Sequence, residues 1–172
     1  VSIRKIADRI LYTPPVVYEH FKNKDDLYKH LVQDGFTLLE TAIFQAADEH
    51  QEPEDRMMAI AKVRFRFALD FPTLHHLMFD ADNPDWQRLE VIKSTAAIKE
   101  RIDKELTLLT GEPERTMEYF MNFICLIKGY IYFHSKLEIS KKMKTALAMI
   151  SDLEPQYHNA IKRFIDSIKS DS

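Results

Sequence analysis

Apolar residues recur every three or four positions through most of this chain, the spacing that puts them on one face of an α-helix. Ile3, Ile6, Ala7 and Ile10 make the first such stripe, and Ser2 ahead of them suits an N-cap. A break follows at Thr13, then Pro14 and Pro15. Proline belongs in a first helical turn, where its missing N–H would have had no partner. Pro15 also disfavours helical angles at Pro14, so the pattern predicts a short second helix starting at Pro15, with Val17 and Phe21 on one side. Asn23 suits the cap of a third helix whose first turn holds Asp25 and Asp26, where carboxylates meet the positive end of the helix dipole.

That third helix is expected over 25–49, with Leu27, Leu31, Phe36, Leu38, Leu39 and Phe44 apolar, and Glu52-Pro53 breaks it. Further helices are expected over 53–71, 73–79 with Thr73 as cap, 86–109, 113–137, 140–150 and 155–168. Thr110-Gly111 closes the third of these six, the helix at 86–109. No alternating strand pattern, internal repeat or low-complexity stretch is present, so the fold class is all-α.

Composition agrees. At 172 residues the chain can bury a good core, and its three glycines and seven prolines leave long runs of helix-forming residues. A single cysteine, Cys125, excludes an internal disulfide framework and fits a cytoplasmic location. No stretch reads as a signal peptide, and the most apolar run, 119–133, is interrupted by Asn122 and Lys128 and is too short to span a bilayer. Net charge is −3, but residues 1–33 carry six Lys/Arg against four Asp/Glu, a net of +2, and the remainder carries 18 against 23, a net of −5. A positive head on an acidic body fits local contact with DNA. Two short helices joined by a tight break can place the second in a major groove.

The head also carries a specific string. S-I-R-K-I-A is followed by a short turn and then by V-V-Y-E-H-F-K-N-K-D-D-L, within which Y-x-H-F-x-N-K-x-x-L is the diagnostic part. This resembles the DNA-binding end of the tetracycline-repressor (TetR) family of bacterial one-component regulators, over about a fifth of the chain. The F-A-L-D-F-P-x-L-H-H-L-M-F run at 67–79 is similar to a stretch common in the regulatory halves of one branch of that family. The resemblance implies an N-terminal helix-turn-helix domain over 1–36 and a C-terminal helical bundle for ligand binding and dimerisation over 37–172. It implies a DNA-binding transcriptional regulator, a ligand-released repressor acting as a homodimer on a palindromic double-stranded operator. The partners are then DNA, a second copy, and a small apolar, possibly anionic, inducer, with no membrane, cofactor or catalytic role. Carried over by position, Arg4 lies at a groove edge and Pro15 and Val16 meet base edges. Tyr18, His20 and Lys24 meet phosphates, with Thr13 and Lys22 completing the DNA-binding set. The alternative is a helical small-molecule-binding or carrier protein that does not touch DNA.

Two departures from the family pattern stand out. Leu11 occupies the turn where the family has glycine, so a strained or differently shaped turn is expected. The family also has a helix ahead of Ser2, without which Ile3, Ala7 and Val17 are expected to be poorly covered; the chain reads as part of a longer one.

Other constellations carry less. Asp80, Asp82 and Asp85 suggest calcium, but Asp85 and Val91 stand where a calcium loop needs glycine and glutamate, so a solvated loop is expected. His75 and His76 are adjacent and cannot share a metal from one helix face. Cys125 reads as a core residue, far round the helix from His134, and Gly35, Gly111 and Gly129 are too scattered for a phosphate loop. Neither a metal site nor a catalytic residue is therefore expected.

Phe65, Met78, Phe123, Tyr130 and His134 are the candidate lining of a ligand chamber. Arg64 sits mid-stripe among Met57, Ile60, Ala61, Phe65, Ala68 and Phe71, with Lys62 and Arg66 on the opposite side. A buried arginine needs a counter-charge, and two sources stay open: an internal carboxylate such as Glu118, or the acid group of a ligand. On the 113–137 helix, Met121, Ile124 and Tyr132 form a side distinct from Phe123, Ile127 and Tyr130. One side can face a partner subunit, with Tyr157, Ile161, Phe164, Ile165 and Ile168 completing a four-helix contact.

Overall fold

The computed structural model describes residues 3–9, 11–79, 92–139 and 153–170. Among them no strand occurs. The helices are α1 (Ile3–Arg9), α2 (Pro14–His20), α3 (Lys24–Asp48), α4 (Pro53–Asp70) and α5 (Pro72–Phe79), followed by α6 (Ala96–Thr110), α7 (Thr116–Ile139) and α8 (Leu153–Ser170). A 3₁₀ turn, Pro113–Arg115, leads into α7. Ser2, Ile10, the Asp80–Asp82–Asp85 loop, Trp86 and the helix expected over 140–150 lie outside the described residues.

The helix starts follow local chemistry. Asn23 caps α3, its side-chain oxygen accepting from the N–H of Asp26 at 2.9 Å, while the Asp26 carboxylate accepts from the N–H of Lys22 at 2.9 Å. Two otherwise orphaned donors are thereby satisfied. Helix α2 begins at Pro14, one residue earlier than expected, because Pro14 itself takes the N1 position that fixed proline angles suit. Likewise α5 begins at Pro72, so Thr73 lies inside it; the carbonyl of Phe71 accepts from the N–H of His75 at 2.8 Å and takes the capping role expected of Thr73. Gly111 ends α6 with a left-handed φ of 68°.

Two hydrophobic clusters form. In the head, Ala7, Val17 and Leu27 are buried, with Ile6 and Phe21 packed against them. Ala7 and Val17 are therefore covered, at 0% and 5% exposure, contrary to the expectation that they would lie open. Helix α2 supplies Val17, and the start of α3 supplies Leu27 and closes the cluster from below. The body core takes over on the same helix at Val32, Phe36, Leu39 and Ile43. It continues through Met57, Ile60 and Phe65 of α4, Ile98, Ile102 and Leu106 of α6, Phe123 and Ile127 of α7, and Tyr157, Ile161 and Ile165 of α8. Helix α3 thus belongs to both clusters and joins them by continuous backbone.

A charged network ties three body helices at one end. Glu105, 1% exposed, accepts from Nε of Arg56 at 2.7 Å and from Nε of Arg101 at 2.9 Å. Arg101 reaches on to Asp48 at 2.8 Å, so α3, α4 and α6 are clamped by one buried carboxylate. Such a group is held only because both its oxygens are paired.

Two expectations about the outer surface change. Cys125 is exposed, not a core residue, because two positions from Phe123 and Ile127 carries it roughly 200° round the helix from the buried stripe. The apolar residues of α8 are spent inside the subunit: Tyr157, Ile161, Ile165 and Ile168 are buried, and Phe164 stacks on Phe123 at 5.9 Å. They are not free for a partner. The outward side of α7 is, with Met121 and Tyr132 at 50% and 65% exposure.

Candidate nucleic-acid interface and the buried arginine

The turn between α1 and α2 decides the shape of the head. Leu11 adopts φ 59°, the left-handed region, and the N–H of Tyr12 reaches back to the carbonyl of Ala7 at 3.0 Å. The turn thus holds a backbone angle that glycine favours, with a leucine bearing the steric cost. The Leu11 side chain is 93% exposed, so no packing offsets that cost.

Around this turn the expected DNA-contacting residues are placed as follows. Arg4, Thr13, Pro15, Tyr18, His20 and Lys22 are exposed, and Val16 and Lys24 are half-buried. The Thr13 side chain makes no cap bond to α2. The Lys24 ammonium lies 5.0 Å from the centre of the Tyr28 ring, a cation–π contact that restrains it near the start of α3. Val17 points the other way, into the head core. A short helix therefore presents an exposed proline, tyrosine and histidine, with flanking arginine and lysine, on a small core of its own.

Residues 1–31 match the family described as bacterial regulatory proteins, tetR family. Over these residues the chain carries a tetR-family head. A comparison with curated proteins returns no match. Among solved structures, the chain is similar to one titled "Structure of a protein with unknown function from Rhodococcus sp. RHA1", at 17% identity and a TM-score of 0.72. The likeness covers 99% of this chain and 84% of that one, and extends the shared fold through the body. TetR-family regulators bind DNA through such a head.

The body of the chain holds the second feature. Arg64 is 6% exposed, and its Nε has no hydrogen-bond partner. Its guanidinium lies 5.6 Å from the centre of the Phe79 ring. Glu118, the internal partner considered from sequence, instead pairs with Arg115 on the surface, at 3.4 Å. Burial pulls the Arg64 pKa down, with Tyr157 the only opposing influence among the described residues. Burial also raises the Tyr157 hydroxyl well above its ordinary range, against the pull of Arg64; that hydroxyl donates to the carbonyl of Ala61 at 2.7 Å.

The other expected ligand residues are distributed around it. Phe65 stacks on Tyr157 at 4.4 Å and meets His134 edge-on at 6.0 Å. Tyr130 meets Tyr157 at 5.4 Å. Arg64, Phe65 and Tyr130 are thus linked through Tyr157, and His134 joins them through Phe65. Met78 and Phe123 are fully buried, Met78 against α3 and Phe123 against α8.

A groove of about 670 Å³ opens beside this group. It runs between the end of α3, at Ala46 and His50, and the start of α8, at Tyr157 and His158. Met58, Ala59 and Phe65 of α4 also line it, and the Arg66–Glu154 ion pair at 2.6 Å lies at its edge. Of the expected ligand residues Phe65 lines this groove. Tyr157 belongs to both groove and arginine surroundings, in place of the partner contact expected for it. The nearness of His75 to Arg64 arises between α4 and α5, across the fold, where no periodicity reports it.

Proposed function

We propose that the chain is a homodimeric transcriptional repressor whose grip on a palindromic operator is relaxed by a small molecule held in the body. The observation that carries this reading is the head: an exposed Arg4, Thr13, Pro15, Tyr18, His20 and Lys22 arrayed about a glycine-like turn within the family match. We assign residues 1–36 to the DNA-binding domain and 37–172 to the ligand-binding and dimerisation domain. The change of core along α3, from Leu27 to Val32, supports a division in that helix.

In this mechanism Pro15 and Val16 at the start of α2 approach base edges, while Tyr18, His20, Lys22 and Lys24 position the protein on phosphates. A second copy, paired through the outward side of α7, sets two heads at the spacing of successive major grooves. A ligand that favours a different body geometry alters that spacing.

Gel-shift titration on the DNA upstream of the protein's own gene tests the reading. Lys24→Ala should weaken binding to every sequence and lower the salt slope by about one. Arg4→Ala should relax sequence preference by roughly 1–3 kcal/mol. Absence of a shift on any DNA, with small-molecule binding intact, would return the chain to the carrier alternative.

A further inference from the structure

We propose that Arg64 is the anion-recognising end of a site for an organic acid, with His75, Phe79 and Tyr157 forming its surroundings. The inference rests on the reading that a small molecule controls this protein, and names the chemistry of that molecule.

The argument begins with charge. Arg64 is buried, its Nε is unpaired, and among the described residues no carboxylate faces it. A guanidinium in a low-dielectric interior is costly unless something negative compensates it. The ring of Phe79 supplies part of that compensation, but a cation–π contact is weaker than a paired carboxylate. Among the described residues no titratable neighbour supplies a full counter-charge. Tyr157 stays a neutral phenol beside it. His75 is held as neutral imidazole, its pKa lowered to about 4 by burial first and then by the charges of Arg64, Lys128 and His76. Among the described residues this part of the interior is positive and holds no acid.

The ligand's shape follows from the same residues. A guanidinium offers parallel N–H donors that match a planar carboxylate. A neutral imidazole can donate one further hydrogen bond to such a group. Around them stand aromatic faces, and Tyr157 also lines the groove of about 670 Å³, a volume suited to a small organic molecule. The acid therefore has an apolar body.

The position also explains control. His75 and Phe79 lie on α5, and the next residue inward, Met78, rests directly on Gly35 of α3. An anion drawn to Arg64 acts on α5, α5 abuts α3, and α3 carries Leu27 of the head core.

The test uses the full chain with decanoate and benzoate as probes, decanol and benzyl alcohol as neutral counterparts, and inorganic phosphate as a bare anion. Melting temperature and calorimetric affinity are measured for the parent, Arg64→Met, Arg64→Lys and His75→Asn. At least one organic acid should raise the melting temperature of the parent while its alcohol and phosphate do not. Without ligand, Arg64→Met should melt above the parent, since an uncompensated buried charge is removed. It should also lose the acid's affinity by at least about tenfold, with Arg64→Lys intermediate and His75→Asn weakened less. Arg64→Met melting well below the parent would reveal an internal counter-charge and overturn the proposal. So would an alcohol that matches its acid, an acid response unchanged in Arg64→Met, or no stabilisation by either acid. Gel shifts run alongside separate the two readings. An acid bound through Arg64 that leaves DNA binding untouched keeps the anion site and refutes ligand control.

Discussion

A Cβ placed on Gly35 would lie 2.7 Å from the sulfur of Met78, closer than side-chain atoms pack. The same atom would stand 3.0 Å from a methyl of Leu74, so α5 is seated on α3 at the one position in that contact lacking a side chain. Glycine inside a helix costs roughly 0.5–1 kcal/mol relative to alanine, and here the close approach of α5 accounts for it. Gly35→Ala should regain that propensity but overpack a core in which Met78 is fully buried, at about 1–3 kcal/mol. We expect a net loss of about 1 kcal/mol in urea unfolding, with Met78→Ala restoring part of it. A gain in stability would mean that α5 can shift freely and would weaken its role in linking body to head.

The helices themselves were legible in sequence, because apolar spacing, prolines and capping residues act within a few positions. The Asn23 cap, the break at Thr110-Gly111 and the buried side of α4 all follow from such local rules. Boundaries slipped by one residue where two prolines, or a proline and a hydroxyl, competed for the same turn, as at Pro14 and Pro72. Larger errors came from reading an apolar helix as uniformly buried. The wheel that buries Phe123 and Ile127 turns Cys125 outward, and the richness of α7 in apolar residues masked that. Which core an apolar stripe joins is also non-local: Tyr157 and Ile161 satisfy their own subunit. For the candidate site, the central position of Arg64 was visible from periodicity, whereas its neighbours His75 and Tyr157 come from helices packed across the fold.

Leu11 predicts a gain from a single change. A left-handed φ costs a non-glycine residue roughly 1–2 kcal/mol, and its side chain is almost wholly exposed. Leu11→Gly removes that cost and sacrifices little burial, offset in part by the greater freedom of glycine in the unfolded chain. The head should gain about 0.5–1 kcal/mol, seen as slower hydrogen exchange at Ala7 and Val17. Faster exchange there would show that Leu11 supports the head through a contact its exposure does not suggest.

His75 predicts acid sensitivity with a defined window. Its pKa falls from 6.5 in the unfolded chain to about 4 in the fold, so between these values the unfolded state binds more protons. Stability from this group is therefore complete above pH 6.5, is lost as pH falls towards 4, and declines no further below that. The integrated loss is about 3 kcal/mol. His75→Asn, neutral throughout, should flatten the parent's stability profile across this window. Parallel profiles for parent and variant would show that the His75 imidazole protonates in the fold as it does in water, and that Arg64 and Lys128 do not act on it.

Cys125 offers a probe of assembly that needs no added label. It lies on the outward side of α7 with Met121 and Tyr132, and Gly129 on the same stripe has nothing within 4 Å of an added Cβ. Exposed apolar surface of this kind marks an interaction site. If two copies pair through this side, the thiol becomes shielded by the partner, and its reaction with a disulfide reagent must slow as protein concentration rises. The rate should fall several-fold between nanomolar and micromolar chain, while the unfolded protein reacts at one rate throughout. Met121→Glu, placing a charge on the same stripe, should keep the thiol fast at all concentrations without lowering the melting temperature of the monomer. Sedimentation of the parent under the same conditions gives the mass directly. A concentration-independent thiol rate together with monomer mass at micromolar chain would remove α7 as the dimer contact and, with it, the two-headed reading of the operator.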